Sequence, residues 1–342
     1  NGVEVLLKDN PSLQADMVVL AIGVTPDTAL AKEAGLELGI KGSIVVNDRM
    51  ETSVPDIYAA GDAVQVKHYV TGDDALISLA GPANKQGRII ADNICGGDSR
   101  YLGSQGSSVI KVFDITAATT GINETNAKKS GLEVDTVILS PMSHAGYYPG
   151  GKVMTMKVVF EKETYRLLGA QIIGYEGVDK RIDVLATAIH AGLKATQLKD
   201  LDLAYAPPYS SAKDPVNMAG FMIDNIAKGT LKQWHLEDMD KISRDKSVVL
   251  LDVRTVGEFN RGHMDGFKNI PVDELRERIN EIEKGKPVYL ICQSGLRSYI
   301  ASRILEGNGY ETYNFSGGFR FYDAVVNDRA LIEKAYACGM DY

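Results

Sequence analysis

The chain has 342 residues, enough for two or three domains each with its own core, and a formal net charge of -8. With no Lys/Arg cluster to offset it, that balance excludes nucleic acid as a main partner, and no apolar run is long enough to span a membrane. Three cysteines without metal-ligand spacing, and no signal peptide at the start, describe a soluble protein of the reducing cytoplasm.

Residues 3–7 and 16–22 read as strands already inside a domain, and the chain opens on Asn1 and not on Met, as the C-terminal part of a longer chain would. The second run ends in Ala21-Ile-Gly-Val-Thr-Pro26, followed by a short helical stretch over residues 29–34 and by the apolar run at residues 42–47. Thr52-Ser-Val-Pro-Asp-Ile-Tyr-Ala-Ala-Gly61-Asp62 is next. An apolar strand ending in small residues, then Gly61, then Asp62, brings backbone close to a ligand and adds a carboxylate at the strand's C-terminal edge, where open α/β sheets bind nucleotides. A plain Gly-Asp turn explains the dipeptide, but not the eleven-residue run. Residues 86–94 are helical in pattern, with Cys95 at the end beside Gly96 and Gly97. Cys95, like Cys338 near the C-terminus, has no partner motif and reads as structural.

Residues 105–228 read as a separate α+β unit. Strands are expected at 108–115, 134–139, 153–160 and 167–173, the last two joined by a polar turn at 161–165. Helical periodicity follows through Ile182, Leu185, Ala186, Ile189 and Leu193. Tyr147 in His144-Ala-Gly-Tyr-Tyr-Pro, and Tyr205 in Leu203-Ala-Tyr-Ala-Pro-Pro-Tyr209, sit beside Gly or Pro, where loops are expected. Loop tyrosines are ordinarily interface or half-buried residues.

After Gly229 strands alternate with helices, as in a small parallel α/β domain: residues 247–252, a charged helix over 273–284, and a strand at 287–291. That strand runs into Cys292-Gln-Ser-Gly-Leu-Arg297-Ser298, and a helical pattern follows from Tyr299 to Leu305. A thiol at a strand end, on a Gly-containing loop that feeds a helix N-terminus, gathers backbone donors around an anion and lowers a cysteine pKa. The alternative is a buried strand-end cysteine. Arg297 and Gly295 favour the reactive thiol. The spacing is Cys-x4-Arg, a ring of amides tighter than a Cys-x5-Arg phosphate loop and suited to a single sulfur anion. Arg297 is either catalytic or a clamp on the loop, and Asp252, Arg254 and His263 read as scaffold.

Residues 52–62, with Ala21-Ile-Gly23 upstream and Leu79-Ala80-Gly-Pro82-Ala-Asn-Lys-Gln-Gly-Arg88 downstream, resemble the flavin-dependent pyridine nucleotide-disulfide oxidoreductases. The resemblance covers residues 1 to about 228. It implies FAD, with Gly61 and Asp62 at the ribityl chain and the helix starting at Leu79, Ala80 and Pro82 aimed at the flavin's pyrimidine edge. No Gly-x-Gly-x-x-Gly follows a strand, and the redox-active cysteine of the family is not in this sequence. The resemblance therefore divides the chain into the end of an NAD(P)H-binding domain (1–44), the second half of an FAD-binding domain (45–104) and a dimerisation domain (105–228). A chain that began at Asn1 is expected to bind FAD weakly or not at all. Glutathione-type reductases carry a His near the end of the dimerisation domain, but no His lies between His190 and His235 here. That departure resembles the coenzyme A-disulfide reductases, in which tyrosines matching Tyr147 and Tyr205 serve the sulfur leaving group.

Residues 232–342, with Leu-Asp252-Val-Arg254, Glu258-Phe-Asn-Arg-Gly-His263 and the Cys292 loop in order, resemble a rhodanese domain. The combination implies a homodimeric NAD(P)H- and FAD-dependent reductase of coenzyme A disulfide, persulfide or polysulfide, in which Cys292 carries sulfane sulfur. A flavin-free sulfurtransferase on a dimeric scaffold is the alternative.

Overall fold

The computed structural model describes residues 2–8 and 10–336; Asn1 and Cys338 lie outside them. The fold is multidomain, α/β and α+β, in two compact units, one drawn from residues 1–66, 74–101 and 323 onward, the other from residues 67–73 and 102–322.

In the first unit β1 (Val3–Val5) pairs antiparallel with β2 (Leu13–Ala15), and α1 covers Ala29–Glu33. Short strands follow at Val66–Lys67 (β3) and Asp74–Ala75 (β4), and α2 spans Ala80–Ile94. Met50, Val64 and Val66 form a small core, with Ile44, Ile89 and Ile90 against it. Two sequence expectations, the strands over residues 16–22 and 52–62, fail here. Residues 16–22 form no strand, and Leu20 and Ile22 are 81% and 90% exposed. A buried parallel strand needs neighbours to take its amides and layers to cover its side chains, and the described residues offer this run neither. Residues 42–47 and 52–62 are likewise irregular, reduced to single bridges such as Ile44↔Val64 and Glu51↔Tyr58.

The second unit holds two sheets. The antiparallel one runs β5-β6-β9-β8-β7, from β5 (Ser108–Val112), β6 (Ile115–Gly121), β7 (Val134–Leu139), β8 (Met154–Glu161) and β9 (Leu167–Gly174). What reads as one strand over 108–115 is a hairpin turning at Phe113, which adopts φ +52°. The helices α3 (Glu124–Lys129), α4 (Val178–His190) and α5 (Pro215–Ala227) complete this part. Helix α4 buries Ile182, Leu185 and Ile189, one helical face, against Met156, Leu168 and Ile172 of the sheet.

The second sheet is wholly parallel, in the order β10-β14-β13-β11-β12. Its strands are β10 (Gln233–Trp234), β11 (Val249–Asp252), β12 (Lys268–Asn269), β13 (Val288–Ile291) and β14 (Thr312–Phe315). Helices α6 (Met239–Ile242), α7 (Val256–Arg261) and α8 (Leu296–Glu306) accompany it, and α9 (Gly318–Tyr336) follows β14 along the chain. The charged helix expected over 273–284 is instead a series of turns with one 3-10 segment, Ile279–Glu281. The Tyr310 hydroxyl donates to the carbonyls of Ile279 and Ile282, at 3.2 and 3.0 Å, and so holds the chain in turns that bury Leu275 and Ile282. Trp234, 2% exposed, packs on Phe315 at 4.5 Å, and its indole N–H donates to the Leu290 carbonyl. The two sheets are tied where Ile138 N–H donates to the Ser316 hydroxyl (3.1 Å) and Gln233 Nε2 to the Thr136 carbonyl (2.7 Å).

Candidate functional site

Three groups of candidate residues take shape. The first is the Cys292 loop. β13 lies in the middle of the parallel sheet, so Cys292 emerges from its C-terminal edge with β11 on one side and β14 on the other. The thiol is 1% exposed. Gly295, at φ +99°, turns the chain into α8 as its N-cap, a conformation that favours glycine. Its N–H donates to Sγ at 3.1 Å, and the Ser298 hydroxyl, one turn into α8, donates to Sγ at 3.2 Å. Both stabilise negative charge on sulfur. The expected ring of loop amides is thus one amide and one hydroxyl among the described hydrogen bonds. On the other wall the amides of Phe319 and Arg320 donate to the carbonyls of Cys292 (2.8 Å) and Gln293 (3.1 Å). Gly318, at φ +69°, lies so close to this loop that a Cβ would come within 2.7 Å of Ser294 backbone atoms. Gly318→Ala is therefore expected to displace the loop and lower sulfur transfer by tenfold or more, on the order of the loss from misplacing a reacting atom; a cyanide-coupled transfer assay checks it.

Arg297 makes no hydrogen bond to Sγ among the described residues. Both of its terminal nitrogens donate to Glu258, each at 2.7 Å. Glu258 is also the third residue of the capping box that Thr255 forms at the start of α7. The Arg297 bonds, joined by those from Thr255, overcome burial and lower the Glu258 pKa to about 2. The sequence marks Glu258 only as the first residue of the Glu258-Phe-Asn-Arg-Gly-His263 motif; its Thr-x-x-Glu spacing is that of a capping box. A depressed carboxylate adds stability that is complete above its ordinary value of 4.5 and is lost as pH falls through about 2. Glu258→Gln is expected to cost on the order of 1 kcal/mol at neutral pH, after solvent screening, and to flatten acid unfolding between those limits. Urea titrations at a series of pH values measure it. Arg254 and Asp252 form a buried bidentate pair (Nη2 to Oδ2 2.7 Å), with Nη2 also donating to the Gly262 carbonyl, and His263 stacks on Phe259. All three hold backbone or ring neighbours, as scaffold residues do.

The second group is a tyrosine pair. Tyr147 and Tyr205, 58 residues apart, bring their hydroxyls to 2.7 Å. Both rings are open to solvent, 76% and 46% exposed. The hydrogen bond shared with Tyr147, with burial second, raises the Tyr205 pKa above that of an ordinary phenol. Beside Tyr205 opens a cleft of about 610 Å³ lined by His144, Glu176, Lys180 and Tyr209 among others. Among the described residues no hydrogen bond, ion pair or ring contact joins this pair to Cys292.

The third group belongs to the first unit. Gly61 and Asp62 begin a 3-10 turn, Gly61–Ala63, and Gly61 adopts φ +83°. The buried side chain of Gln86 on α2 accepts the Gly61 N–H at 2.7 Å and so fixes this turn against the helix. Leu79 is the N-cap of α2 and no side chain caps the helix, so the amides of its first turn, at Ala80 and Gly81, are left for another acceptor; Pro82 sits within that turn without an N–H of its own. The Asp62 carboxylate is exposed and has no hydrogen-bond partner among the described residues. Gln86 went unnoticed in the sequence, since its role is defined only by the contact across 25 residues.

Residues 1–87 match the pyridine nucleotide-disulphide oxidoreductase family, residues 107–215 the dimerisation domain of that family, and residues 235–324 the rhodanese-like domain. The chain belongs to the pyridine nucleotide-disulphide oxidoreductases. It joins that family's domains to a rhodanese-like one. It is 39% identical over 214 residues to the NAD(P)H sulfur oxidoreductase (CoA-dependent) of Pyrococcus furiosus, covering 63% of this chain and 48% of that one. The chain spans about half the length of the curated relatives it matches. The reduced Bacillus anthracis CoADR-RHD structure superposes with a TM-score of 0.92 at 48% identity, covering 95% of this chain and 58% of that one. An NAD-dependent persulfide reductase from A. fulgidus gives 0.84 at 42% identity, covering 91% and 56%. In this chain the tyrosine pair falls within the matched dimerisation domain and Cys292 within the rhodanese-like one.

Proposed function

We propose that this chain belongs to a cytoplasmic, homodimeric NAD(P)H- and FAD-dependent reductase of coenzyme A disulfide, persulfide or polysulfide, with Cys292 as its sulfane-sulfur carrier. The observation that carries this reading is the solvent-open Tyr147–Tyr205 hydroxyl pair, with no histidine between His190 and His235, within the same chain as a thiol held by two donors. Reducing an S–S bond releases a thiolate, and a phenol that stays protonated at neutral pH can donate to it. The hydrogen bond that Tyr205 shares with Tyr147 keeps its phenol protonated, with its pKa above that of an ordinary phenol. At the other site the Cys292 thiolate attacks the outer sulfur of a persulfide donor. A Cys–S–S bond forms, the donor's S–S bond breaks, and the donor thiolate leaves; Gly295 N–H and the Ser298 hydroxyl hold charge on the attacking sulfur. Arg297 is assigned to clamping the loop through Glu258.

The residues of the first unit fit FAD. Asp62, exposed and unpaired beside the uncapped start of α2, would accept from a ribityl hydroxyl, and Leu79, Ala80 and Pro82 would place the helix end at the pyrimidine edge. Bound FAD would supply the electron pair for cleaving the S–S bond. NAD(P)H and the flavin's partner cysteine are assigned to no residue of this chain. For the homodimer, the support is the matched dimerisation domain together with the apolar residues exposed on the β5–β6 hairpin, Val109, Ile110, Val112 and Phe113, which a second copy would cover.

The test is the visible spectrum of the full-length protein together with NAD(P)H consumption on coenzyme A disulfide, coenzyme A persulfide and polysulfide. A flavin band and turnover on at least one of them are expected. A colourless protein that still moves sulfane sulfur to cyanide would replace the reductase with a sulfurtransferase.

A further inference from the structure

Both tyrosine rings are exposed, so the 2.7 Å hydroxyl pair is registered from below, through the two loops that carry it. One buried side chain meets both loops. Arg181 on α4 is 1% exposed, and its Nη2 donates to the carbonyl of Ser143 (3.0 Å), four residues before Tyr147. The same nitrogen donates to the carbonyl of Tyr209 (3.3 Å), four residues after Tyr205. Asp214, 2% exposed, fixes the guanidinium by accepting from Nε at 3.2 Å and Nη2 at 2.9 Å. A direct bond from Ala145 N–H to the Ser210 carbonyl (3.0 Å) joins the loops on the same line.

We propose that Arg181, held by Asp214, is the positioning residue that sets the Tyr147 and Tyr205 loops in register and so makes their hydroxyls act as one donor pair. The requirement is for a planar group with donors in fixed directions, since Nη2 serves carbonyls from two loops and, with Nε, the Asp214 carboxylate, while Nη1 donates to the Gly177 carbonyl. An ammonium at this position keeps the charge but not that geometry. Arg181 touches neither hydroxyl, and its effect on the reaction passes through the tyrosines. The catalytic consequence rests on the proposed role of the pair; the register of the pair does not.

The experiment uses the full-length protein with ring-labelled tyrosine, and follows the titration of Tyr205 by NMR, assigned with Tyr205→Phe. Removing Arg181 alone leaves Asp214 buried and unpaired, which threatens the fold. Two variants avoid this: Arg181→Lys, which retains the charge, and Arg181→Met with Asp214→Asn, which removes both charges. In both, the Tyr205 titration is expected to fall back toward that of an ordinary phenol, and turnover on coenzyme A disulfide to drop on the order of tenfold to a hundredfold. A Tyr205 titration unchanged in folded samples of both variants would overturn the positioning role, leaving Arg181 a purely structural residue. If the titration falls while Tyr147→Phe with Tyr205→Phe turns over at full rate, the register stands and it is the reading of the pair as acid that fails.

Discussion

Replacing Cys292 by serine is expected to lower cyanide-coupled sulfur transfer by roughly a thousandfold or more, the scale seen when a covalent nucleophile is lost. The residue is 1% exposed, so serine fits the space and keeps the loop, with the Gly295 N–H and the Ser298 hydroxyl still pointing at the same atom. What changes is chemistry. A serine hydroxyl stays protonated at neutral pH, and oxygen does not form a stable bond to sulfane sulfur under these conditions. Mass spectrometry of the tryptic peptide carrying residue 292 should show a sulfur adduct after persulfide treatment of the parent and none in the variant. An adduct elsewhere with undiminished transfer in Cys292→Ser would remove Cys292 from the mechanism.

The second large effect concerns the tyrosines. Tyr147→Phe with Tyr205→Phe, in the full-length protein, is expected to reduce turnover on coenzyme A disulfide by about 10²–10⁴, the usual contribution of a positioned general acid. Because the two hydroxyls share one hydrogen bond, the single variants should each lose less, and their losses should not add. The pH profile gives the sign. A phenol donates only below its pKa, and that of Tyr205 is raised from an ordinary value near ~10. Parent activity should therefore hold across neutral pH and fall only in strongly alkaline solution. The double variant should lack that alkaline limb, and an identical limb in both would mean that the phenols donate no proton.

Local pattern told most about elements whose partners lie nearby. Strands β7, β8 and β9, helix α8 and the turn at residues 161–165 were all readable, because alternation, helical spacing and turn residues describe faces that a neighbouring hairpin or helix buries. Residues 16–22 show the limit. Their apolar run is that of a buried strand, yet the described residues offer it no neighbouring strand, and backbone hydrogen bonding decides against it. Residues 273–284 show another. Their charges suit a helix, but the Tyr310 hydroxyl, 31 residues from Ile279, takes the carbonyls that an extended helix would use.

The candidate site divides the same way. Cys292 at a strand end, Gly295 in a left-handed turn, Asp62 after Gly61 and two loop tyrosines are chemical facts of order and composition, legible because backbone conformation and nucleophile placement are local. Glu258 on Arg297 across 39 residues, Gln86 under Gly61, the hydroxyl pair across 58 residues and the buried Arg181 beneath it are choices of partner. Order along the chain leaves those choices open, because many side chains could satisfy each donor. The packing of α4 on its sheet and of α2 on the Gly61–Ala63 turn, and the reach of Arg297 to Glu258, settle them, since burial leaves each charged or polar group only the acceptors that the topology has brought within hydrogen-bonding distance.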